Sequence, residues 1–419
     1  MTAQKKRMQT VLALILVAFG LVPVAIMGLF VYMSARATPL HPHPQDVPSV
    51  TSSDPVQQWD GAVEQARQIV RAGLAKQNLP GLSVAVGAGG EMVWAEGFGW
   101  ADLENRVPVA PDTRFRIGTA AKALTSAAVG RLLEEDRLKL DDVIQVRVPE
   151  FPKKEWPVTL RQLMGHLAGV PNDGGDEGPL YSLHCEKPVD ALRHFAESSL
   201  RFPPGTQYRY SSYGWIVVSA AVEAAAGEPF FTFMNKDIFE PLGMDNTRAD
   251  DAKVDFSEEH TVTQPVPGQA TPYFPKFAAD PHYGLDSMRP IDYSCYAGAS
   301  AFLSTPSDLV RFALAINSGK LLQPATVQLL QTSQQLSSGE ETGYGLGWDL
   351  ETVELAGQRT PWVGHNGTSL GGMVASLMTF PEHGIVVAVT SNTSYADTES
   401  LAVAIAQGFA ARGKGPARQ

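Results

Sequence analysis

The sequence predicts an α/β chain of the α+β kind: an antiparallel sheet built from both ends of the chain and flanked by helices, with a mostly helical region inserted in the middle and an N-terminal transmembrane helix ahead of it. Three observations carry this expectation. Strand-like runs stand near the start of the globular part, at 82–88 and 91–99, and three more close the chain in "TPWVGHNG", "GMVASLMTFP" and "GIVVAVTSN". Helical periodicity fills the interval between them and also flanks them at 54–77 and in "TESLAVAIAQGFAARG". Strands at both ends with helices between fit one sheet covered by terminal helices. At 419 residues the chain is long enough to bury a large core.

Taken in order, the elements begin with a charged tail at 1–9, where Lys5, Lys6 and Arg7 precede an apolar run from Val11 to Met33 that carries no charge. A bilayer takes about 20 apolar residues, so 10–34 reads as an uncleaved signal anchor. A cleaved signal peptide would have an apolar core of roughly 7–15 residues, and Ala35-Arg36-Ala37 is a poor cleavage site. The positive flank puts the tail in the cytoplasm and the rest outside, which in a bacterium means a single-pass inner-membrane protein with a periplasmic domain. Residues 35–54 read as a Pro-rich extended linker, with His41 and His43 solvated. The globular domain is expected at 55–412 and a short tail at 413–419. Two glycines and a glutamate turn the first two strands, and a helix is expected over 119–135. "LRQLMGHLAGV" and "PVDALRHFAESS" read as further helices around the loop "PNDGGDEGP". "SSYGWIVVSAAVEAAAG" has a serine cap and Gly227 as its stop. The Pro-rich stretch 252–296 shows no period and reads as a long functional loop. Cys185 and Cys295, outside the membrane, either pair as a disulfide or stay as buried thiols.

The net charge of −11 argues against a nucleic-acid partner, which needs a basic face. No metal or cofactor is expected: His166, His184, His194 and His282 lack ligand-like spacing. Three constellations carry chemistry instead. Thr119 and Lys122 stand three residues apart at a helix entry, on one face, where backbone N–H groups favour a developing anion and an amine can take a hydroxyl proton. "FPPGTQYRYSSYGW" places Tyr210 as a proton relay and Ser212 as a hydrogen-bonding partner. "VGHNGTSLGG" offers His365 as a source of charge or a proton and Gly367 as a point of close approach. Gly367 to Gly371 also fits G-x-S-x-G, with Ser369 as nucleophile, but that elbow needs a strand, a turn and then a helix. The following residues are strand-like and His383 precedes Asp397, so the match reads as accidental.

Together the three constellations resemble the serine β-lactamase and penicillin-binding-protein family on its class C-like, β-lactamase-related branch, which carries Ser-x-x-Lys, Tyr-x-Asn and Lys/His-x-Gly in this order. The resemblance spans nearly all of 60–410, including "GLSVAVGAGGEMVWAEGFGWADLENRVPV", "IFEPLGMDNT", "AGASAFLSTPSDLVRFALAINSGKLL" and "TGYGLGWDL". "ADLENRVPV" and "VPEFPKKEW" look most similar to the mitochondrial serine β-lactamase-like members and their bacterial relatives, which are membrane-associated, outward-facing hydrolases or peptidases. The resemblance implies a β-lactamase/transpeptidase-like fold. It assigns the nucleophile's place to Thr119, the base's to Lys122, the second acid/base to Tyr210 and the third motif to His365 with Gly367. The backbone N–H groups of Thr119 and Thr368 would form the oxyanion hole. Ser212 stands where the family usually has Asn, and this group often accepts a small hydroxyl there. Thr119 in place of Ser adds a methyl beside the hydroxyl and stiffens χ1.

Two functions follow as expectations. One is a membrane-anchored acyl-transfer hydrolase of amides or esters, with a peptide, ester or β-lactam-like substrate and a covalent Thr119 intermediate. The other is a catalytically inactive scaffold or binding protein built on the same pocket.

Overall fold

The computed structural model describes residues 19, 21–33, 35, 38–52, 56–172, 179–251, 253–255, 261–264, 266–277, 280–369 and 372–413. The expected cytoplasmic tail, the first part of the anchor, most of the "PNDGGDEGP" loop and the end of the C-terminal tail lie outside these residues.

The main sheet is antiparallel and drawn from both chain ends. Its strands are β1 (Ser49–Thr51), β2 (Gly81–Ala88), β3 (Glu91–Asp102), β4 (Asp349–Leu355), β5 (Gln358–Ser369), β6 (Met373–Phe380) and β7 (Ile385–Ser391). They lie in the order β1-β3-β2-β7-β6-β5-β4, with Val107–Pro108 added beside β3. The β2–β7 pair joins the two chain ends, with Ala85 opposite Ala388 and Val84 opposite Val389. Every residue of β2, β6 and β7 is buried, which fits their near-continuous apolar composition and a sheet covered on both faces.

One face is covered by two helices, α1 (Asp60–Gln77) and the C-terminal α5 (Thr398–Gly413). Val63, Val70 and Leu74 of α1 and Ile405 and Phe409 of α5 pack there against Leu82, Val84, Val86, Val387 and Val389. The other face packs against α2 (Ala121–Glu134) and α4 (Pro306–Asn317), and together with α3 (Ser212–Ala226) behind them and the inserted region these form the larger core. Helix α3 starts as its sequence indicates: the Ser211 hydroxyl accepts the Gly214 N–H at 3.2 Å, and Gly227 closes the helix in the left-handed region.

Several expectations are corrected. The 35–54 stretch is not a free spacer: β1 pairs with β3 from Ser49↔Phe98 to Thr51↔Glu96. His41 is buried and its Nε2 bonds the Leu79 carbonyl at 2.9 Å, while His43 is exposed. Edge-strand pairing supplies the backbone partners that a solvated linker would take from water. The helices in "LRQLMGHLAGV" and "PVDALRHFAESS" are single turns, Leu160–Met164 and Pro188–Leu192; the first ends where His166 takes a left-handed backbone, and the second runs on into further turns after Arg193. The 252–296 stretch holds short hairpins, Lys253–Asp255 with Thr261–Gln264 and Tyr273–Pro275 with Leu285–Ser287. Helix α4 and strand β4 were not anticipated as elements. The α4 start is nonetheless written locally, with Thr305 accepting the Asp308 N–H and Pro306 in the first turn.

Among the described residues no single helix is long and apolar enough to cross a membrane. An apolar helix at Leu21–Met33 has mostly exposed side chains, and its Phe30 ring packs at 5.5 Å on Tyr283 and 6.2 Å on Phe277.

Candidate active site

The site forms where the entry to α2 meets β5. Phe115–Arg116 pairs with Phe302–Ser304, and the chain then passes through Ile117 and one 3-10 turn, Gly118–Ala120, into α2. Gly118 has φ +53°, and a Cβ there would lie 2.6 Å from the Thr368 carbonyl oxygen. A Cβ on Gly367 would lie 2.0 Å from the Ile117 carbonyl and 2.9 Å from the Thr119 nitrogen. Two glycines therefore let the helix entry and the strand end approach backbone to backbone, which sets Thr119 and Thr368 side by side.

Thr119 is buried, and its hydroxyl donates to the Asn366 carbonyl at 3.2 Å. The same carbonyl accepts from His365 Nδ1 at 2.6 Å. His365 Nε2 then meets the Tyr344 hydroxyl at 3.0 Å, and Asp349 Oδ2 lies 3.7 Å from Nδ1. With Nδ1 donating, Nε2 is left as the acceptor of the Tyr344 O–H.

Lys122 is wholly buried one turn into the helix. Its Nζ donates to Ser212 Oγ at 3.0 Å and to the Ala299 carbonyl at 3.4 Å, and it lies 4.6 Å from the centre of the Tyr210 ring. A buried amine needs such partners, since leaving its donors unmade in the core costs more than the net worth of the bonds. The Ala299 carbonyl is presented by the turn Ser294–Ala299, which also bonds Thr125 and Ser219 through Gly298. That turn carries Cys295, bonded to Cys185 with an S–S distance of 2.02 Å.

Thr119, Lys122, Tyr210, Ser212, His365, Gly367 and Thr368, drawn from three separate stretches of the chain, thus converge on one site. Ser212 serves as a direct partner of Lys122. Ser369 is buried at the end of β5, and its hydroxyl has no partner among the described residues. The chain returns through β6 rather than a helix, which removes the nucleophile-elbow geometry; Leu370 and Gly371 of that motif lie outside the described residues.

The motifs alone missed a set of residues around the site. His166 lies over Tyr210 with ring centroids 4.2 Å apart at 32°, and meets Tyr344 at 4.7 Å with the rings tilted by 53°. Burial first, then the neighbouring Lys122 and His365, hold the His166 imidazole well below the ordinary histidine value. Asn366 is braced by its side-chain amide, which donates to Glu399 at 2.8 Å, and by its backbone N–H, which donates to Asp349 at 3.2 Å. Burial, reinforced by Glu351, Asp397 and Asp349, raises the Glu399 carboxyl above the usual range. Tyr344 and Asp349 lie in "TGYGLGWDL", which carried a family signal but no chemical one. Among the described residues no group of three or more His, Cys, Asp or Glu is placed to hold a metal ion.

Comparison with known proteins agrees with this fold. The chain is 26% identical over 456 residues to the serine beta-lactamase-like protein LACTB, mitochondrial, of Mus musculus, covering 83% of this chain and 80% of that one. It is 25% identical over 288 residues to penicillin-binding protein 4* of Bacillus subtilis, covering 66% and 61%. Two solved structures share the fold. FmtA from Staphylococcus aureus superposes with a TM-score of 0.67 at 20% identity, over 90% of this chain and 95% of that one. The octameric penicillin-binding protein homologue from Pyrococcus abyssi gives 0.66 at 24%, over 81% and 76%. The family profile described as Beta-lactamase matches residues 66–410, which take in nearly all of the sheet and the whole of the site, and the chain belongs to that family.

Proposed function

We propose that this chain is a membrane-anchored, outward-facing hydrolase of amide or ester bonds that works through a covalent intermediate on Thr119. The observation that carries the reading is the junction itself: a hydroxyl at the start of α2, one turn from a buried lysine that Ser212, Ala299 and the Tyr210 ring hold in place.

The Thr119 hydroxyl first leaves the Asn366 carbonyl by rotation about χ1. Its oxygen then attacks the substrate carbonyl carbon while its proton passes to the Lys122 amine, the base of this reading. Negative charge on the carbonyl oxygen is met by the N–H groups of Thr119 and Thr368, whose backbones Gly118 and Gly367 bring together. Tyr210 gives a proton to the departing amine or alkoxide as the C–N or C–O bond breaks. The Tyr210 phenolate then takes a proton from water, whose oxygen attacks the threonyl ester, and the Lys122 ammonium returns its proton to the Thr119 oxygen as the ester C–O bond breaks. His365 acts from behind, through the Asn366 carbonyl that it shares with Thr119. Relatives named as an unguisins hydrolase and a penicillin-binding protein support a hydrolase and a β-lactam-like ligand. The apolar run ending in the Leu21–Met33 helix supports the anchor, and with the positive flank ahead of it a periplasmic domain.

A second reading, a non-catalytic binding protein on the same pocket, is favoured by one observation: the Thr119 hydroxyl already donates to a strand carbonyl. A fluorophosphonate or fluorescent β-lactam probe separates the two. Labelling that is lost in Thr119→Ala supports catalysis. No labelling of the native chain, with labelling gained in Thr119→Ser, supports the binding protein. Activity kept in Thr119→Ala and lost in Ser369→Ala would instead assign an esterase to Ser369.

A further inference from the structure

We infer that His166 is the positioning residue of this site, a neutral imidazole that stacks on Tyr210, accepts the Ser211 amide and so seats the tyrosine ring against Lys122. His166 follows the single helical turn Leu160–Met164 and holds φ +60°, a left-handed conformation uncommon for a residue with a side chain. Such backbone positions persist where the surroundings over-determine them. Its ring is buried, with 2% exposure, and lies at 32° to the Tyr210 ring with centroids 4.2 Å apart.

The backbone N–H of Ser211 donates to His166 Nδ1 at 3.1 Å. Ser211 is the cap of α3, so one imidazole fixes both the tyrosine and the start of the helix that carries Ser212. An Nδ1 that accepts must be bare, which places the proton on Nε2. Nε2 is buried and has no hydrogen-bonding partner among the described residues. An imidazolium here would turn Nδ1–H toward an N–H and add a cation beside Lys122 and His365. The other groups that face the ring are Tyr208, Tyr344 and Trp215, at 5.9, 4.7 and 6.4 Å. The ring that His166 stacks on is the same ring that Lys122 meets at 4.6 Å, so its position is transmitted to the amine.

The kinetic consequence of this role rests on the acyl-transfer reading, whereas the geometry does not. The test uses the full-length chain in detergent micelles, with ring-15N-histidine and 13C-lysine labels, in the native protein and in His166→Leu and His166→Asn. Asparagine tolerates the left-handed backbone and keeps an acceptor for Ser211, but it loses the aromatic face. In the native protein His166 is expected as the neutral tautomer protonated at Nε2, and the Lys122 side-chain protons as displaced upfield by the Tyr210 ring. That displacement collapses in His166→Leu and shrinks in His166→Asn. With a p-nitrophenyl ester, kcat falls by roughly 10–100-fold in His166→Leu and by less in His166→Asn, with KM little changed. A protonated Nδ1, or an unchanged Lys122 shift in a folded variant, overturns the inference. If His166→Leu does not fold, the Lys122 shift in His166→Asn decides. An absence of turnover in the native chain counts against acyl transfer alone, since the tautomer and the lysine shift are read without it.

Discussion

At the residue scale the decisive object is the Asn366 carbonyl, which accepts from both Thr119 and His365 and so sets the resting direction of the hydroxyl proposed as nucleophile. A serine here would have three χ1 wells open to it, whereas the threonine methyl restricts the choice and shifts the cost of leaving the carbonyl onto the first step. Thr119→Ser is therefore expected to raise the rate of phosphonylation by a fluorophosphonate probe, in which the hydroxyl oxygen displaces fluoride from phosphorus, by about 10-fold or more, read by the time course of labelling. Lys122→Met keeps the side chain's length and removes the proton acceptor. It is expected to lower acylation by roughly 10²–10⁴-fold, while circular dichroism shows a folded protein. Thr119 and Lys122 were legible as a pair because three residues along a helix place two side chains on one face. The partners of Lys122 were not, since Ser212 and Ala299 lie 90 and 177 residues away and no local pattern encodes their approach.

At the element scale the seam between the 3-10 turn and β5 depends on the lack of a side chain at Gly367. Gly367→Ala puts a Cβ 2.0 Å from the Ile117 carbonyl, an overlap with backbone that must be relieved by displacing the strand. A loss of about 2–3 kcal/mol in unfolding free energy is expected, measured by denaturant titration, together with loss of probe labelling. The strands of the sheet interior were readable from sequence because residues buried on both faces leave an apolar run. β4 was not readable, because "DLETVEL" is an edge strand whose side chains are largely wet and carry four polar residues in seven. His166 was hidden for another reason: it stands where a helical pattern stops, and its importance comes from rings contributed by 208–215 and 344.

The helix α5 supplies Glu399, which props Asn366 from the far side of β5. Its folded carboxyl binds a proton more tightly than the unfolded one, so its contribution to stability is complete below the ordinary glutamate value and is lost as pH rises through the raised folded value. Glu399→Gln keeps an acceptor for Asn366 without the charge. It is expected to raise the melting temperature at pH 7 relative to the native chain, and the difference should vanish as the pH is brought below the ordinary glutamate range. A destabilised variant at neutral pH would show that the charge itself braces the strand.

At the scale of the whole molecule, two cores face each other across one sheet, and the site lies at the boundary between the sheet and the inserted region. The disulfide Cys185–Cys295 closes 110 residues of that region and fixes the turn that presents Ala299 to Lys122. Replacing both cysteines by serine is expected to cost about 2–5 kcal/mol, seen as a lower denaturant midpoint. Sequence alone left the pairing open because cysteine spacing carries no distance. It did carry the α+β architecture, since a sheet shared by the two chain ends leaves strand-like runs at both. It failed at the spacer, where residues near 41 and 49–51 meet Leu79 and β3 only once the domain has folded.

The central claim is that Thr119 becomes acylated, and peptide mass spectrometry after incubation with a fluorophosphonate tests it most directly. The account predicts one adduct on the peptide containing Thr119, absent from Thr119→Ala and formed faster in Thr119→Ser. An adduct on Ser369, or none in the native chain and one in Thr119→Ser, would contradict it.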